Sequence, residues 1–425
     1  MAVYYLYSIL VILLLPFALL KVFWRGFLDS RYRAGIAERL GSIPVGISQQ
    51  PVWIHAVSVG EVRAIQPLIQ QLLQDYPDTS VHVTTSTPTG REMLHSLFSD
   101  TISLSYFPYD AGFLVRRFLA QLQPRLLLVV ETEIWPTVFR QCEQQKIPIC
   151  LLNARLSERS LRQYHYFRGF THQVLSAVTL ITAKSDPDKN RFLSLGMKAD
   201  KVHVTGNLKF DLQLDLSASN SRPYRQALSC RSPVWIAGST HAGEEEIVLQ
   251  VHQRILQKYP QALLVLMPRH PQRWQKIQSL CQRYGFSAAR ASQLPNQLPE
   301  CVPDSQVLLG DQLGQLMPLY AEADVAFIGG SLVPHGGHNP LEATVVRKPV
   351  ISGDAIWNFQ DIYALLQQVE ACALVATHDE LADAVLQLIE NNEQRIAMGD
   401  AGYTLLLQHR GATTRTMEMI SVFLQ

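Results

Sequence analysis

Gly329-Gly330-Ser331-Leu332-Val333-Pro334-His335-Gly336-Gly337-His338-Asn339-Pro340-Leu341-Glu342 is the stretch whose reading decides the fold. The apolar run before it, Val325-Ala326-Phe327-Ile328, reads as a buried parallel strand. A helical pattern over 341–347 follows, with Pro340 suited to a first helical turn. Two Gly-Gly pairs let the backbone approach a ligand closely, and the unpaired N–H groups of a helix start attract an anion. Strand, glycine turn and helix in this order describe a phosphate or nucleotide site in an α/β domain. The stretch is neither the dinucleotide fingerprint G-x-G-x-x-G nor a P-loop, since no Gly-Lys-Ser/Thr closes it.

The same grammar repeats outward in both directions, with Pro349-Val350-Ile351-Ser352-Gly353 on the C-terminal side. Toward the N-terminus, 307–309 opens onto Gly310-Asp311-Gln312, 262–267 onto Pro268-Arg269-His270-Pro271, and 234–237 onto Gly238-Ser239-Thr240-His241-Ala242-Gly243-Glu244. Periodicity then weakens over 212–233, where Ser, Asn and Pro accumulate and mark a linker. Before it lies a second set. A strand over 52–59 leads into a helix from Gly60 to about Tyr76, and apolar runs at 81–86, 126–130, 147–152, 178–183 and 202–205 each end in a polar motif. Alternating strand and helix predict parallel sheets covered by helices, with ligands at the carboxyl ends of strands. The expected architecture is two doubly wound Rossmann-like domains, 51–211 and 234–425, facing a cleft. The final stretch reads as helical, with helices able to pack back on the first domain.

Charge and cysteine content exclude several classes of function. The 37 basic and 36 acidic residues leave a net charge of +1, which is no footprint of a nucleic-acid binder. Cys142, Cys150, Cys230, Cys281, Cys301 and Cys372 show no C-x-x-C spacing, against a structural zinc site or a disulfide framework. Residues 2–20 carry no charge, long enough to cross a hydrocarbon core of ~30 Å as a helix. Tyr4, Tyr5 and Tyr7 at one end and Phe23, Trp24 and Phe27 at the other suit the two interfaces. Lys21, Arg25, Arg31, Arg33 and Arg39 follow against only Asp29 and Glu38, which predicts an anchor over 1–24, with a membrane-dipping helix as the alternative to a span, a basic spacer over 25–50 and the later domains on the cytoplasmic side. A basic n-region and a small-residue cleavage site are both lacking, so a cleaved signal peptide is not expected.

Seven motifs in order, spread over nearly the whole chain, then carry a resemblance. They are Val57-Ser58-Val59-Gly60-Glu61, Thr85-Ser86-Thr87-Pro88-Thr89-Gly90, Glu131-Thr132-Glu133-Ile134-Trp135-Pro136, Asn153-Ala154-Arg155-Leu156-Ser157, Gly206-Asn207-Leu208-Lys209-Phe210-Asp211, Pro268-Arg269-His270-Pro271 and Gly336-Gly337-His338-Asn339-Pro340-Leu341-Glu342. Together the chain resembles the 3-deoxy-D-manno-octulosonic acid (Kdo) transferases of lipopolysaccharide inner-core biosynthesis. The resemblance implies a GT-B inverting glycosyltransferase at the bacterial inner membrane. It implies a CMP-Kdo donor in the C-terminal domain and a tetraacylated lipid A precursor as acceptor in the N-terminal one. Neither cofactor nor metal is expected.

By the same resemblance Glu61 is the general base that deprotonates the acceptor hydroxyl, and Glu131 and Lys209 stabilise the transition state. A sugar alcohol attacks poorly until its proton is removed, so such a base is chemically required. A carboxylate in a first helical turn is favoured as the anion, which predicts a depressed pKa unless a lipid-facing site desolvates it. Lys209 suits a leaving phosphate monoester and the donor's own carboxylate. For Glu131 two roles stay open: orienting Lys209, or favouring positive charge on the sugar. Glu133 suits a helix-capping acid as well as a functional one. Pro268, Arg269, His270, Gly310, Asp311, Gln312, Gly336, Gly337, His338, Asn339, Pro340, Leu341 and Glu342 are the expected nucleotide contacts, with Glu342 able to accept ribose hydroxyls.

Asp186-Pro187-Asp188 has the D-x-D spacing of metal-using transferases but sits where Ser185 would cap a helix. His335 and His338 lack a third ligand at suitable spacing, so neither motif is read as a metal site. No residue given a role lies within 2–20, so the apolar segment is expected to serve encounter with a lipid acceptor rather than chemistry. Two alternatives remain: another GT-B enzyme with a UDP donor, separated by CMP binding, and a membrane-anchored nucleotide-binding protein without turnover, in which Glu61 and Lys209 would be dispensable.

Overall fold

The computed structural model describes residues 2–28, 30–44, 46, 50–99, 101–212, 224, 228, 231–294, 305–312 and 314–424. The chain divides into two units, 1–211 with 409–425, and 212–408. Most of the expected linker 212–233, together with Cys230 and Cys301, lies outside the described residues.

The first unit is built on seven parallel strands in the order β3-β2-β1-β4-β5-β6-β7. They are β1 Val52–His55, β2 Val81–Thr85, β3 Ser103–Tyr106, β4 Leu126–Val130, β5 Ile149–Ala154, β6 Leu180–Ala183 and β7 Val202–Val204. A parallel sheet has helices on both faces, so its central strands are apolar on both sides. Leu126, Leu128 and Val130 of β4 enter one core, and Leu127 and Val129 enter the other. β1 ends at His55, earlier than the apolar run suggested, because Ser58 caps the helix Val59–Asp75 and three residues are needed for the turn.

The second unit repeats the plan with the order β10-β11-β9-β8-β12-β13-β14. Its strands are β8 Val234–Thr240, β9 Leu263–Pro268, β10 Ala288–Arg290, β11 Val307–Leu309, β12 Val325–Ile328, β13 Val350–Gly353 and β14 Cys372–Val375. In each sheet the order reverses beside the first strand, between β1 and β4 and between β8 and β12. Such a switch point is where an open α/β sheet binds ligands.

Residues 409–425 leave the second unit and complete the first. Asp211 accepts hydrogen bonds from the N–H groups of Gly411 and Thr413, Arg415 donates to the Thr205 carbonyl at 2.9 Å, and Met417 and Ile420 enter the core that holds Ile65 and Leu208.

The apolar N-terminal helix spans Ala2–Leu28 and is long and apolar enough to cross a membrane, with a mean hydropathy of 2.4 over its best window. Its tyrosines differ from the expected interfacial girdle. Tyr7 donates to Asp110 Oδ2 at 2.7 Å, and Tyr4 lies under Arg140 at 4.0 Å. Only Tyr5 is exposed, because Asp110 and Arg140 give the other two polar partners on the domain itself.

Candidate functional site

At the switch point of the first sheet, Ser58 accepts a hydrogen bond from the Glu61 N–H at 3.4 Å. The Glu61 carboxylate reaches back, accepting from the Val57 N–H at 2.7 Å and from the Ser58 hydroxyl at 3.1 Å. This reciprocal cap fixes the side chain. Burial pushes the Glu61 carboxyl up, Glu131 pushes it further, and the result is about 7 although the Val57 N–H opposes the shift. The helix-start depression expected from position is therefore overcome, since desolvation of a carboxylate and a neighbouring like charge outweigh a partial dipole charge.

Glu131 follows β4 in the left-handed region at φ 60°, a conformation that costs a non-glycine residue energy and is kept where surrounding contacts enforce it. Its N–H donates to the Leu152 carbonyl at 2.7 Å. Its carboxylate meets Lys209 Nζ at 3.2 Å and Lys184 Nζ at 3.5 Å. Burial alone would raise the Glu131 carboxyl, but the two ammonium groups prevail and hold it at about 2. Glu131 is thus a fixed anion. It raises Glu61 by charge, and burial together with Glu131 raises Glu133 as well.

Lys209 sits in a single 3-10 turn, Leu208–Asp211, positioned from β5: Asn153, at φ 54°, accepts the Leu208 N–H on its side-chain oxygen at 3.0 Å. Lys184 directly follows β6 and is almost fully buried. Position had not singled it out, although a lysine ending an apolar strand was a readable signal. Asp110 was also missed. It accepts from the Thr137 N–H at 3.0 Å and the Val138 N–H at 2.9 Å, so it caps the helix Pro136–Gln144, whose own N-cap Trp135 supplies no side-chain bond. That helix begins directly after the Glu131 loop.

In the second unit the corresponding place is built from imidazoles. His241 follows β8, Arg269 and His270 follow β9, and His335 and His338 lie in the glycine-rich loop after β12. The Nε2 atoms of His241 and His338 are 2.9 Å apart, so one donates to the other. The His335 ring stacks on His241 at 4.0 Å, and His270 stands edge-on at 6.0 Å. Burial lowers His241 to about 4 and His338 to about 3, and Arg269 with the neighbouring histidines adds to both shifts. The Coulomb part of these shifts is mutual repulsion among groups that can carry positive charge. His241 belongs to this cluster, and sequence had assigned it no role.

The first part of the glycine-rich stretch is occupied from within the unit. Its first N–H groups are not free for a phosphate: Gly330, Ser331 and Leu332 donate to the carboxylate of Glu244 at 2.7, 3.1 and 3.0 Å, and His241 N–H donates to it at 3.2 Å. A Cβ on Gly329 would come within 2.8 Å of Glu244 Oε2 and of the Ser239 carbonyl, so this glycine allows a side chain to approach rather than a ligand. The helix behind the loop is one turn, Leu341–Thr344, capped in part by Asn339, which accepts the Leu341 N–H at 3.2 Å. Glu342 is buried.

The 310–312 segment is likewise tied inward. Asp311 accepts from the Ser292 N–H at 3.0 Å and from its hydroxyl, and lies 3.8 Å from Arg290, while the Asp311 and Gln312 N–H groups donate to Gln315. Of the D-x-D decoy, Asp188 accepts the Leu156 N–H and the Ser185 hydroxyl, and Ser185 caps the helix Asp186–Ser194 as expected.

Comparison with known proteins agrees with this division. Residues 34–212 match the family described as 3-Deoxy-D-manno-octulosonic-acid transferase (kdotransferase), and residues 232–405 match the family described as Glycosyl transferases group 1. A 3-deoxy-D-manno-octulosonic acid transferase of Haemophilus influenzae is 39% identical over 99% of this chain and 99% of its own. One from Bordetella pertussis is 36% identical over 88% of this chain and 87% of its own. Among solved structures, UDP-GlcNAc 2-epimerase from Neisseria meningitidis bound to UDP-GlcNAc has a TM-score of 0.58 at 20% identity, covering 88% of this chain and 99% of that one. At that identity the likeness shows the fold alone, which is GT-B-like.

Proposed function

Because the chain belongs to the 3-deoxy-D-manno-octulosonic acid transferases, glycosyltransferases of lipopolysaccharide biosynthesis, we propose that it moves Kdo from CMP-Kdo to a hydroxyl of a lipid A precursor with inversion. The observation that carries this reading is the pair Glu61 and Glu131. One carboxyl is raised to about 7 and the other is held near 2 by Lys184 and Lys209, so at neutral pH one can exchange a proton while the other stays charged.

In this mechanism Glu61 accepts the proton of the acceptor hydroxyl as its oxygen attacks the anomeric carbon. Its bonds to Val57 and Ser58 keep the carboxylate oriented for the transfer. Glu131 fixes both lysines, and Lys209 then serves the charge that develops on departing CMP. Arg269 and the histidine cluster of the second unit receive the cytidylate phosphate, and Glu342 and Asn339 contribute to the nucleotide site. Gly310, Asp311 and Gln312, at the end of β11, contribute to the same nucleotide site. The first unit binds the acceptor, and the apolar helix keeps the enzyme at the cytoplasmic face of the inner membrane.

The test is incubation of purified protein with CMP-Kdo and tetraacyl lipid A precursor, followed by mass spectrometry of the lipid. A mass increase of one or more Kdo residues is expected. An unchanged lipid, with CMP-Kdo intact and the protein folded, would overturn the assignment of substrates.

A further inference from the structure

The apolar helix is attached to the first unit at both ends. Near its start, the Tyr7 hydroxyl binds Asp110 at 2.7 Å, the Tyr7 ring packs on Phe170 at 5.8 Å and Tyr4 meets Arg140. Just past its end, Arg31 donates twice to Glu92, at 2.8 and 3.0 Å. The helix has 27 residues, roughly 40 Å at 1.5 Å per residue. A helix standing across a bilayer would carry Tyr7 about 30 Å from the side on which Arg31 meets the domain. The observed contacts forbid that while both ends are bound.

The pattern of shielding along the helix agrees. Tyr4, Tyr7, Val11, Leu15, Val22 and Gly26 are partly or fully buried, at steps of three, four and seven that trace one face. Leu6, Ile9, Leu13, Phe17, Leu20 and Trp24 are exposed on the remaining surface. Such a surface is wide and apolar and calls for acyl chains. Exposed Lys21 and Arg25 can extend to headgroup phosphates at its edge.

We propose that the helix Ala2–Leu28 lies in the plane of one leaflet, latched to the acceptor-binding unit by Tyr7 and Asp110, and does not cross the bilayer. The occupant of its exposed face is the acyl region of an anionic leaflet on the same side as both units. Because Asp110 also holds the Thr137 and Val138 N–H groups, the latch ends at the helix that begins directly after the Glu131 loop. A buried carboxylate needs all its donors, so withdrawing Tyr7 leaves Asp110 undersatisfied.

This rests on the membrane placement proposed above, and the experiment separates the two. Full-length protein carrying a protease-sensitive tag before Met1 is treated with protease in intact spheroplasts and in inside-out vesicles. The tag is expected to survive in spheroplasts and to be removed in inside-out vesicles. Cleavage in spheroplasts, with the protein still sedimenting with membranes, overturns the in-plane seating alone; protein found in the soluble fraction overturns the membrane placement too. In parallel, Tyr7→Phe should lower the thermal midpoint of the detergent-solubilised protein by about 3 to 6 °C. Tyr5→Phe, at an exposed neighbour, should not. Equal midpoints for the two variants would show that the latch is absent.

Discussion

Glu61 and Glu244 occupy matching places in the two units. Each stands in the first turn of the helix after the first strand of its sheet, beside the switch point. Glu244 is wholly buried and accepts four backbone N–H groups, from His241, Gly330, Ser331 and Leu332. Glu61 accepts one backbone N–H and one hydroxyl and faces two further carboxyls. Donor number decides what a carboxylate is for. Burial pushes both carboxyls up; at Glu244 four backbone donors oppose the rise while it shapes a loop, whereas at Glu61 the like charge of Glu131 adds to burial and the value reaches about 7.

The sharpest way to break this contrast is to neutralise each glutamate. Glu61→Gln keeps shape and removes the base, so turnover should fall by about two to four orders of magnitude while CMP affinity stays within a few-fold. Steady-state rates beside calorimetric CMP titration check it; more than half of normal turnover would end the base assignment. Glu244→Gln should do the reverse. Its amide brings donors into a ring of donors, and the expected cost is about 3 kcal/mol in the stability of the second unit, read as a lower thermal midpoint.

A smaller effect tests the coupling between carboxylates. The acid limb of kcat/KM should lie near pH 7, where Glu61 loses its proton. Glu131 raises that value by its negative charge, so Glu131→Gln should move the limb to lower pH even as it lowers the rate. A limb that stays in place would mean that the two groups do not interact.

The smallest effect belongs to the second unit. His241 and His338 are held below the ordinary imidazole pKa by burial and, in part, by neighbouring cations, and a bound phosphate reverses the second influence. CMP should therefore take up a fraction of a proton on binding at pH 7.5, where its phosphate is already mostly a dianion. Calorimetry in two buffers of different ionisation enthalpy measures the uptake, and His241→Asn should reduce it. Zero uptake in the parent protein would remove the histidine cluster from the phosphate site.

Much of this was legible in the residues. Apolar runs bounded by polar motifs located the central strands, since a strand buried on both faces must be apolar throughout. β3, β10 and β14, at sheet edges, escaped notice because Ser103-Leu104-Ser105-Tyr106, Ala288-Ala289-Arg290 and Cys372-Ala373-Leu374-Val375 are only three or four residues long. Glu61, Glu131 and Lys209 could be named from motifs, but the depression expected for Glu61 was reversed by burial, which depends on tertiary packing. Lys184 and Asp110 were hidden for the same reason: each acts on a group more than 20 residues away. Within the glycine-rich loop the partner of Gly330, Ser331 and Leu332 could not be read locally, because their N–H groups are met by Glu244, a residue 86 positions upstream of Gly330.

The return of residues 409–425 to the first unit sets an order of events during synthesis. Asp211 finds its partner Gly411 only 200 positions later, and the core around Ile65 stays open until Met417 and Ile420 arrive. The unit that leaves the ribosome first is therefore the one that matures last. Until then the places that Met417 and Ile420 fill in its core have no side chain from the chain already made.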